Sequence, residues 1–178
     1  MMISLLKTTL GRWGLTAVTA AALMTLLDVK PAQAQAAYGS YIGGGGSLGL
    51  TEDDRGDGDG LGLVISGRYK FLALPISVRA QAFLLNGDLA LVPTVSYDFP
   101  VSFQTDLYLG AGVSLPTGND ASPVGDQTAF VLQPGVDFAV PGSNLVVFGN
   151  AIFAFDAFDD GGGTATAVQA GVGWNFGN

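Results

Sequence analysis

In every apolar-rich segment between Gly60 and Phe176 the residues alternate in character, and one of the two alternating sets contains no Asp, Glu, Lys, Arg, Asn or Gln. The pattern is fullest from Ser102 to Leu115. There Phe103, Thr105, Leu107, Leu109, Ala111, Val113 and Leu115 interleave with Gln104, Asp106, Tyr108, Gly110, Gly112 and Ser114. It recurs where Thr128, Phe130, Leu132, Pro134, Val136 and Phe138 interleave with Gln127, Ala129, Val131, Gln133, Gly135 and Asp137. The last segment sets Thr164, Thr166, Val168, Ala170, Val172, Trp174 and Phe176 against Ala165, Ala167, Gln169, Gly171, Gly173 and Asn175. Successive side chains of a strand point to opposite faces, so each segment reads as a strand with one wholly apolar face. A soluble barrel hides its apolar face and wets the other; here the opposite face holds the charges, so the apolar one is left to meet lipid. A Lys or Arg at mid-bilayer on that face would cost about 2–4 kcal/mol. A sheet in hydrocarbon has no water to satisfy its edges and must close on itself.

The same reading along the chain predicts strands near 38–50, 60–71, 75–85, 88–98, 102–115, 127–138, 144–155 and 164–176. The connections alternate between short turns and mostly longer loops, with Asn86-Gly87 a tight hairpin on the long-loop rim. The fold class expected is all-β: an eight-stranded antiparallel up-and-down transmembrane β-barrel, with N and C termini both periplasmic. The first strand is placed by counting and by the need for closure, because Gly43-Gly44-Gly45-Gly46 has no side chains to fix a register. Pro93 and Pro134 fall inside strands, where proline removes a ladder hydrogen bond, so local bulges are expected there.

The N-terminal segment is an address. Lys7 and Arg12 precede an apolar run from Trp13 to Leu27, and Pro31-Ala32-Gln33-Ala34-Gln35-Ala36 supplies small residues spaced for signal peptidase. Cleavage after Ala34 or after Ala36 both fit. The chain therefore divides into a secretory leader, 1–36, and a barrel, 37–178. The run is short of the ~20 residues a spanning helix needs, which argues against a membrane anchor.

Composition narrows the chemistry. With no His and no Cys, the chain lacks the commonest metal ligands, the commonest general base and the thiol nucleophile, and it can form no disulfide. No enzymatic role and no cofactor are expected. The leader holds three of the seven cations and one of the fifteen anions, leaving four against fourteen, a net charge of −10. That balance excludes nucleic acid as a partner, since phosphate binding rests on clustered cations.

Six charges lie on the inward face, all toward the short-turn ends of their strands: Arg68, Lys70, Arg79, Asp98, Asp106 and Asp137. Three cations facing three anions suit an internal salt-bridge plug, because a buried charge without a partner is costly. The alternative is a wet lumen lined by separately solvated charges. On the outward face, Tyr69, Phe71, Tyr97, Phe99, Phe103, Phe138, Trp174 and Phe176 gather at the same rim as an interfacial girdle, with Phe130, Phe153 and Phe155 as a sparser ring at the other.

These features resemble the small eight-stranded outer-membrane barrels, the OmpA/OmpX-like and opacity-porin-like group. The sharpest motif is terminal: Gln169-Ala170-Gly171-Val172-Gly173-Trp174-Asn175-Phe176 is similar to that group's assembly signal of polar, x, Gly, x, x, aromatic, x, aromatic. The resemblance implies residence in the outer membrane of a double-membraned bacterium. It further implies that Gln169, Gly171, Trp174 and Phe176 are read by the barrel-assembly machinery, although Gly177 and Asn178 follow where the group usually ends on the aromatic. Enzymes of this group rely on a histidine, which this chain lacks.

The remaining acids fall at the long-loop rim: Glu52, Asp53, Asp54, Asp57, Asp59, Asp88, Asp120, Asp126, Asp156, Asp159 and Asp160, with Arg55 among them. Such a crown gathers divalent cations that bridge to anionic surface glycolipid. Asp53, Asp57 and Asp59 are candidates for weak cation binding, but Arg55 breaks a calcium-loop frame and the downstream glutamate is missing. Arg55-Gly56-Asp57 is an integrin tripeptide of a kind that a Gly/Asp-rich loop produces by chance. The function expected is a structural and surface-interaction role for a barrel whose lumen is filled by side chains, with outer-membrane lipid and surface glycolipid as partners. The alternative is a small cation-preferring channel, favoured by the many inward glycines and alanines and opposed by inward Phe83, Tyr108 and Phe148.

Overall fold

A computed structural model describes residues 39–51, 60–85, 88–117, 122–159 and 162–176. The strands are β1 (Ser40–Gly49), β2 (Gly60–Phe71), β3 (Ile76–Leu85), β4 (Asp88–Pro100), β5 (Thr105–Pro116), β6 (Ala129–Ala139), β7 (Leu145–Phe155) and β8 (Thr164–Phe176). Each pairs antiparallel with its neighbour in sequence, and β1 pairs with β8 to close the barrel.

The register gives the barrel its girth. Tyr41 stands opposite Arg68, then Arg79, Thr94, Gly112, Val131, Ala154 and Ala165 follow strand by strand. The β8–β1 pairing, continued by the hydrogen bond from Leu50 N to Thr166 O at 2.8 Å, returns this row at the level of Thr51, ten residues beyond Tyr41. Eight strands with that shear tilt by about 40°, leaving an interior that side chains can fill.

The tetraglycine stretch acquires its register from both sides. Gly43 and Gly45 face inward opposite Gly173 and Gly171, and a Cβ on either would strike the β8 backbone, at 2.5 Å from Val172 O and 2.1 Å from Ala170 O respectively. Close strand approach at the seam thus requires glycine, where sequence alone gave only a count.

Two details differ from expectation. Pro93 and Pro134 create no bulge. The β4–β5 ladder pairs Leu91 with Leu115 and resumes at Thr94 with Gly112 in the same register, and the β6–β7 ladder skips likewise between Leu132 and Gly135. A missing donor is accommodated by a gap on one side while the other ladder, Ala80↔Pro93 or Leu109↔Pro134, stays continuous. Second, β4 runs on to Pro100 and β5 begins only at Thr105. Between them, Val101 N and Ser102 N both donate to Thr105 O, at 2.9 and 3.2 Å, so Phe103 sits on a turn and not in a strand. The Asn86-Gly87 hairpin tip, the 1–36 leader and the Asp53, Asp57, Asp59 segment lie outside the described residues.

The outward set of β2 to β8 is apolar in the fold, with Leu61, Leu63, Ile65, Val95, Leu109 and Val172 each at least half exposed. Leu109→Arg, mid-strand on β5, is expected to destabilise the bilayer-inserted barrel by about 2–4 kcal/mol, whereas Phe103→Arg on the turn costs about 0–1. Urea unfolding from vesicles measures both; equal losses would mean that depth in a bilayer is not what the outward face senses.

Candidate functional site

The interior is layered along the barrel axis. The layer nearest the short turns contains all six inward charges, and the register explains why they meet. Arg68 pairs across to Arg79, Asp106 to Asp137, and Pro100 to Asp106, which brings Asp98 to the same level two residues earlier on β4. Arg68 donates from Nη1 to Asp137 at 2.7 Å and from Nη2 to Asp98 and Asp106 at 3.1 and 2.8 Å. Arg79 Nη2 reaches Asp137 at 2.8 Å and Asp98 at 3.3 Å, and Lys70 Nζ reaches Asp106 at 2.6 Å. Both arginines and all three aspartates are buried; the Lys70 side chain, nearest the rim, is 6% exposed.

Neutral groups complete the network. The Tyr41 hydroxyl donates to Asp137 Oδ1 at 3.0 Å. Ser77 and Ser96 both donate to Asp98, the latter at 3.1 Å, while their hydroxyl oxygens accept from Arg68 Nε at 3.2 Å and Arg79 Nε at 2.9 Å. The Arg79 guanidinium lies 3.3 Å over the Tyr108 ring centroid. With equal numbers of each sign and most donors engaged, the cluster avoids the uncompensated burial that makes isolated interior charge so costly. The plug expected from sequence is the arrangement found, and separately solvated charges are not.

Sequence reasoning missed Tyr41 and the stacking role of Tyr108. Parity with Gly43, Gly45 and Ser47 would have turned Tyr41 inward. Three glycines make room for the aromatic rings. A Cβ on Gly135 would lie 2.3 Å from Tyr108 Cζ, one on Gly171 2.5 Å from Phe148 Cζ, and one on Gly173 2.7 Å from Tyr41 Cδ2. Phe148 in turn stacks on Tyr41, ring centroids 5.8 Å apart. Of the inward glycines that suggested an open bore, Gly135, Gly171 and Gly173 are sockets for rings, whereas Gly62, Gly110 and Gly112 lie against neighbouring strand backbone or the Thr94 and Gln133 side chains.

The middle layer is made of amides and hydroxyls. Gln169 Nε2 donates to Gln81 at 2.8 Å and to Asn150 at 2.5 Å, and Thr94 Oγ1 donates to Gln133 at 2.7 Å. Toward the long loops the interior becomes apolar, which the sequence reading, fixed on polar inward residues, did not foresee. Val64, Phe83, Val92, Val131, Ile152 and Ala154 form one cluster with Val124, Ala157 and Phe158, which come from the β5–β6 and β7–β8 loops. Their inward parity was legible; that two loops would fold in to meet them was not.

Tyr69, Phe71, Tyr97, Phe99, Phe138, Trp174 and Phe176 are exposed on the outer surface at the short-turn end, with Phe103 on its turn at the same rim. Tyr69 packs edge-on to Phe71 at 5.2 Å and Tyr97 against Phe99 at 4.6 Å. Phe130, Phe153 and Phe155 all lie on β6 and β7, with Phe130 stacked on Phe155 at 6.1 Å, so they make a one-sided patch and not a ring. Of the terminal motif, Gln169 and Gly171 point into the barrel while Trp174 and Phe176 face out. Among the described residues no group of three or more acids is placed to hold a metal ion.

Comparison with solved structures decides the architecture. The chain is similar to neisserial surface protein A, at 19% identity over 77% of this chain and 97% of that one, with a TM-score of 0.54. The fold is that of the small outer-membrane β-barrels. This barrel is also similar to the attachment invasion locus protein Ail of Yersinia pestis in a phospholipid nanodisc, at 19% identity over 77% of this chain and 98% of that one, TM-score 0.51. A de novo designed transmembrane β-barrel aligns at 12% identity over 78% of this chain and 97% of the design, TM-score 0.53. The sequence matches no protein-family model and no curated protein.

Proposed function

We propose that this barrel is an integral protein of a bacterial outer membrane, exported by the 1–36 leader, with a structural and surface-interaction role and no transport through its lumen. The observation that carries the reading is the filled interior: a neutralised charge layer at one end and a packed apolar layer at the other. In this reading the short turns and both termini face the periplasm and the long loops face out. Asp156 and Asp159 are exposed at that outer end, in keeping with an acidic surface that collects divalent cations and bridges to anionic glycolipid. Trp174 and Phe176, facing outward at the chain's last strand, are available to the barrel-assembly machinery before lipid covers them.

The test is conductance. The exported protein, reconstituted in a planar bilayer, is expected to insert without discrete current steps, and Arg79→Ala is expected to lower its thermal stability clearly. Cation-selective steps from the unmodified barrel would replace this reading with that of a small cation-preferring channel.

A further inference from the structure

The apolar layer under the long loops does something that the salt-bridge network does not require. The described parts of the β5–β6 and β7–β8 loops are locked to one another. Asp126 N and Gln127 N both donate to Ala157 O, at 3.0 and 3.2 Å; Gln127 Nε2 donates to Phe158 O at 3.0 Å; and Asp159 N donates to Asp126 Oδ1 at 3.0 Å. Each loop is also tied to itself, through paired bonds between Ser122 and Gly125 at 3.1 and 3.0 Å and between Ala157 N and Gly163 O at 3.0 Å. The joined pair lowers Val124, Ala157 and Phe158 into the barrel mouth, where Val124 and Ala157 are 0% exposed. One residue sets the fit. Gly125 has a φ of +97°, and a Cβ there would lie 2.2 Å from Ala157 O and 2.6 Å from Ala157 Cβ.

A constriction lined only by apolar side chains blocks ions by excluding water, independently of charge. We propose that the lumen is sealed twice: by the charge network at the short-turn end and, separately, by an apolar lid that the two loops form at the other, so that either seal alone keeps the barrel shut. This rests on the closed-lumen reading above. The amide layer, where Ser47 Oγ, Gln133 Nε2 and Gln169 Oε1 have no protein hydrogen-bond partner, lies between the two seals.

Four proteins in planar bilayers test it: the unmodified barrel, Arg79→Ala, Gly125→Ala and the double variant. The first three are expected to be silent and the double variant to show discrete steps. Currents from Arg79→Ala alone, or silence from an inserted double variant, overturn the second seal. Currents from the unmodified barrel overturn the closed-lumen reading itself, so the two failures are distinguishable. The chain has no cysteine, which gives a second readout that does not depend on conduction. A thiol introduced as Val124→Cys should react with a charged, membrane-impermeant maleimide on the order of tenfold more slowly than one introduced as Asp159→Cys, because labelling must wait for local opening. Adding Gly125→Ala should remove most of that protection; a Val124→Cys thiol labelled at the Asp159→Cys rate means the lid is not seated.

Discussion

Asp137→Ala is expected to be among the most damaging single substitutions in this barrel, lowering its stability by about 3–5 kcal/mol, the cost typical of stranding buried charge. Asp137 accepts from Arg68, Arg79 and Tyr41 at 2.7, 2.8 and 3.0 Å, so its loss leaves two buried guanidiniums short of an anion at once. Asp106→Ala should cost less. Arg68 keeps Asp98 and Asp137, and the Lys70 ammonium, 6% exposed and closest to the rim, can turn toward water. The ordering, Asp137→Ala below Asp106→Ala in urea midpoint, is the measurable outcome. An Arg68→Ala/Asp137→Ala double variant should recover part of the loss, since removing the two partners together leaves less charge uncompensated than removing one. Equal effects at Asp137 and Asp106, with no recovery in the double variant, would show that the charges are solvated individually.

The second large effect is expected at a residue with no side chain. Gly135→Ala places a methyl carbon 2.3 Å from Tyr108 Cζ and 2.6 Å from Asn150 Cβ. The ring has to leave its socket, and with it goes the face on which Arg79 rests. Overpacking of a filled interior typically costs about 1–3 kcal/mol, and the disturbance of Arg79 puts this case at the upper end. Gly149→Ala is the control. Its Cβ would meet only Gln169 O, at 3.7 Å, an ordinary contact, so stability should hardly change. Near-ultraviolet circular dichroism adds a direct readout, because the Tyr108 signal should weaken in the first variant and persist in the second.

Alternation assigned Arg68, Lys70, Arg79, Asp98, Asp106 and Asp137 to one face, and the alternation of short turns with longer loops assigned them to one end. From there, opposite charge and the penalty on unpaired burial made their association predictable without coordinates. Tyr41 was legible too, since it shares parity with Ser47 against Ile42, Leu48 and Leu50, but the four glycines between interrupt that pattern over the middle of the strand. The glycine sockets were hidden for a related reason: an inward glycine signals space, and only the neighbouring strand's register tells whether a ring occupies it. Prolines misled in the opposite direction, since a gap in one ladder proved sufficient and no residue had to be inserted.

Period-two alternation with an uncharged outward face determined by itself the all-β class, seven of the eight strands and the polarity of the two faces, because those depend only on which side of a strand each residue takes; the need for closure added the first strand, and the alternation of short and longer connections gathered the inward charges at one end. The partner of each charge, the ring in each glycine socket and the seating of Val124, Ala157 and Phe158 in the barrel mouth were decided only by the tertiary structure. These depend on shear and on contacts between loops far apart in sequence, and a local pattern carries no information about either.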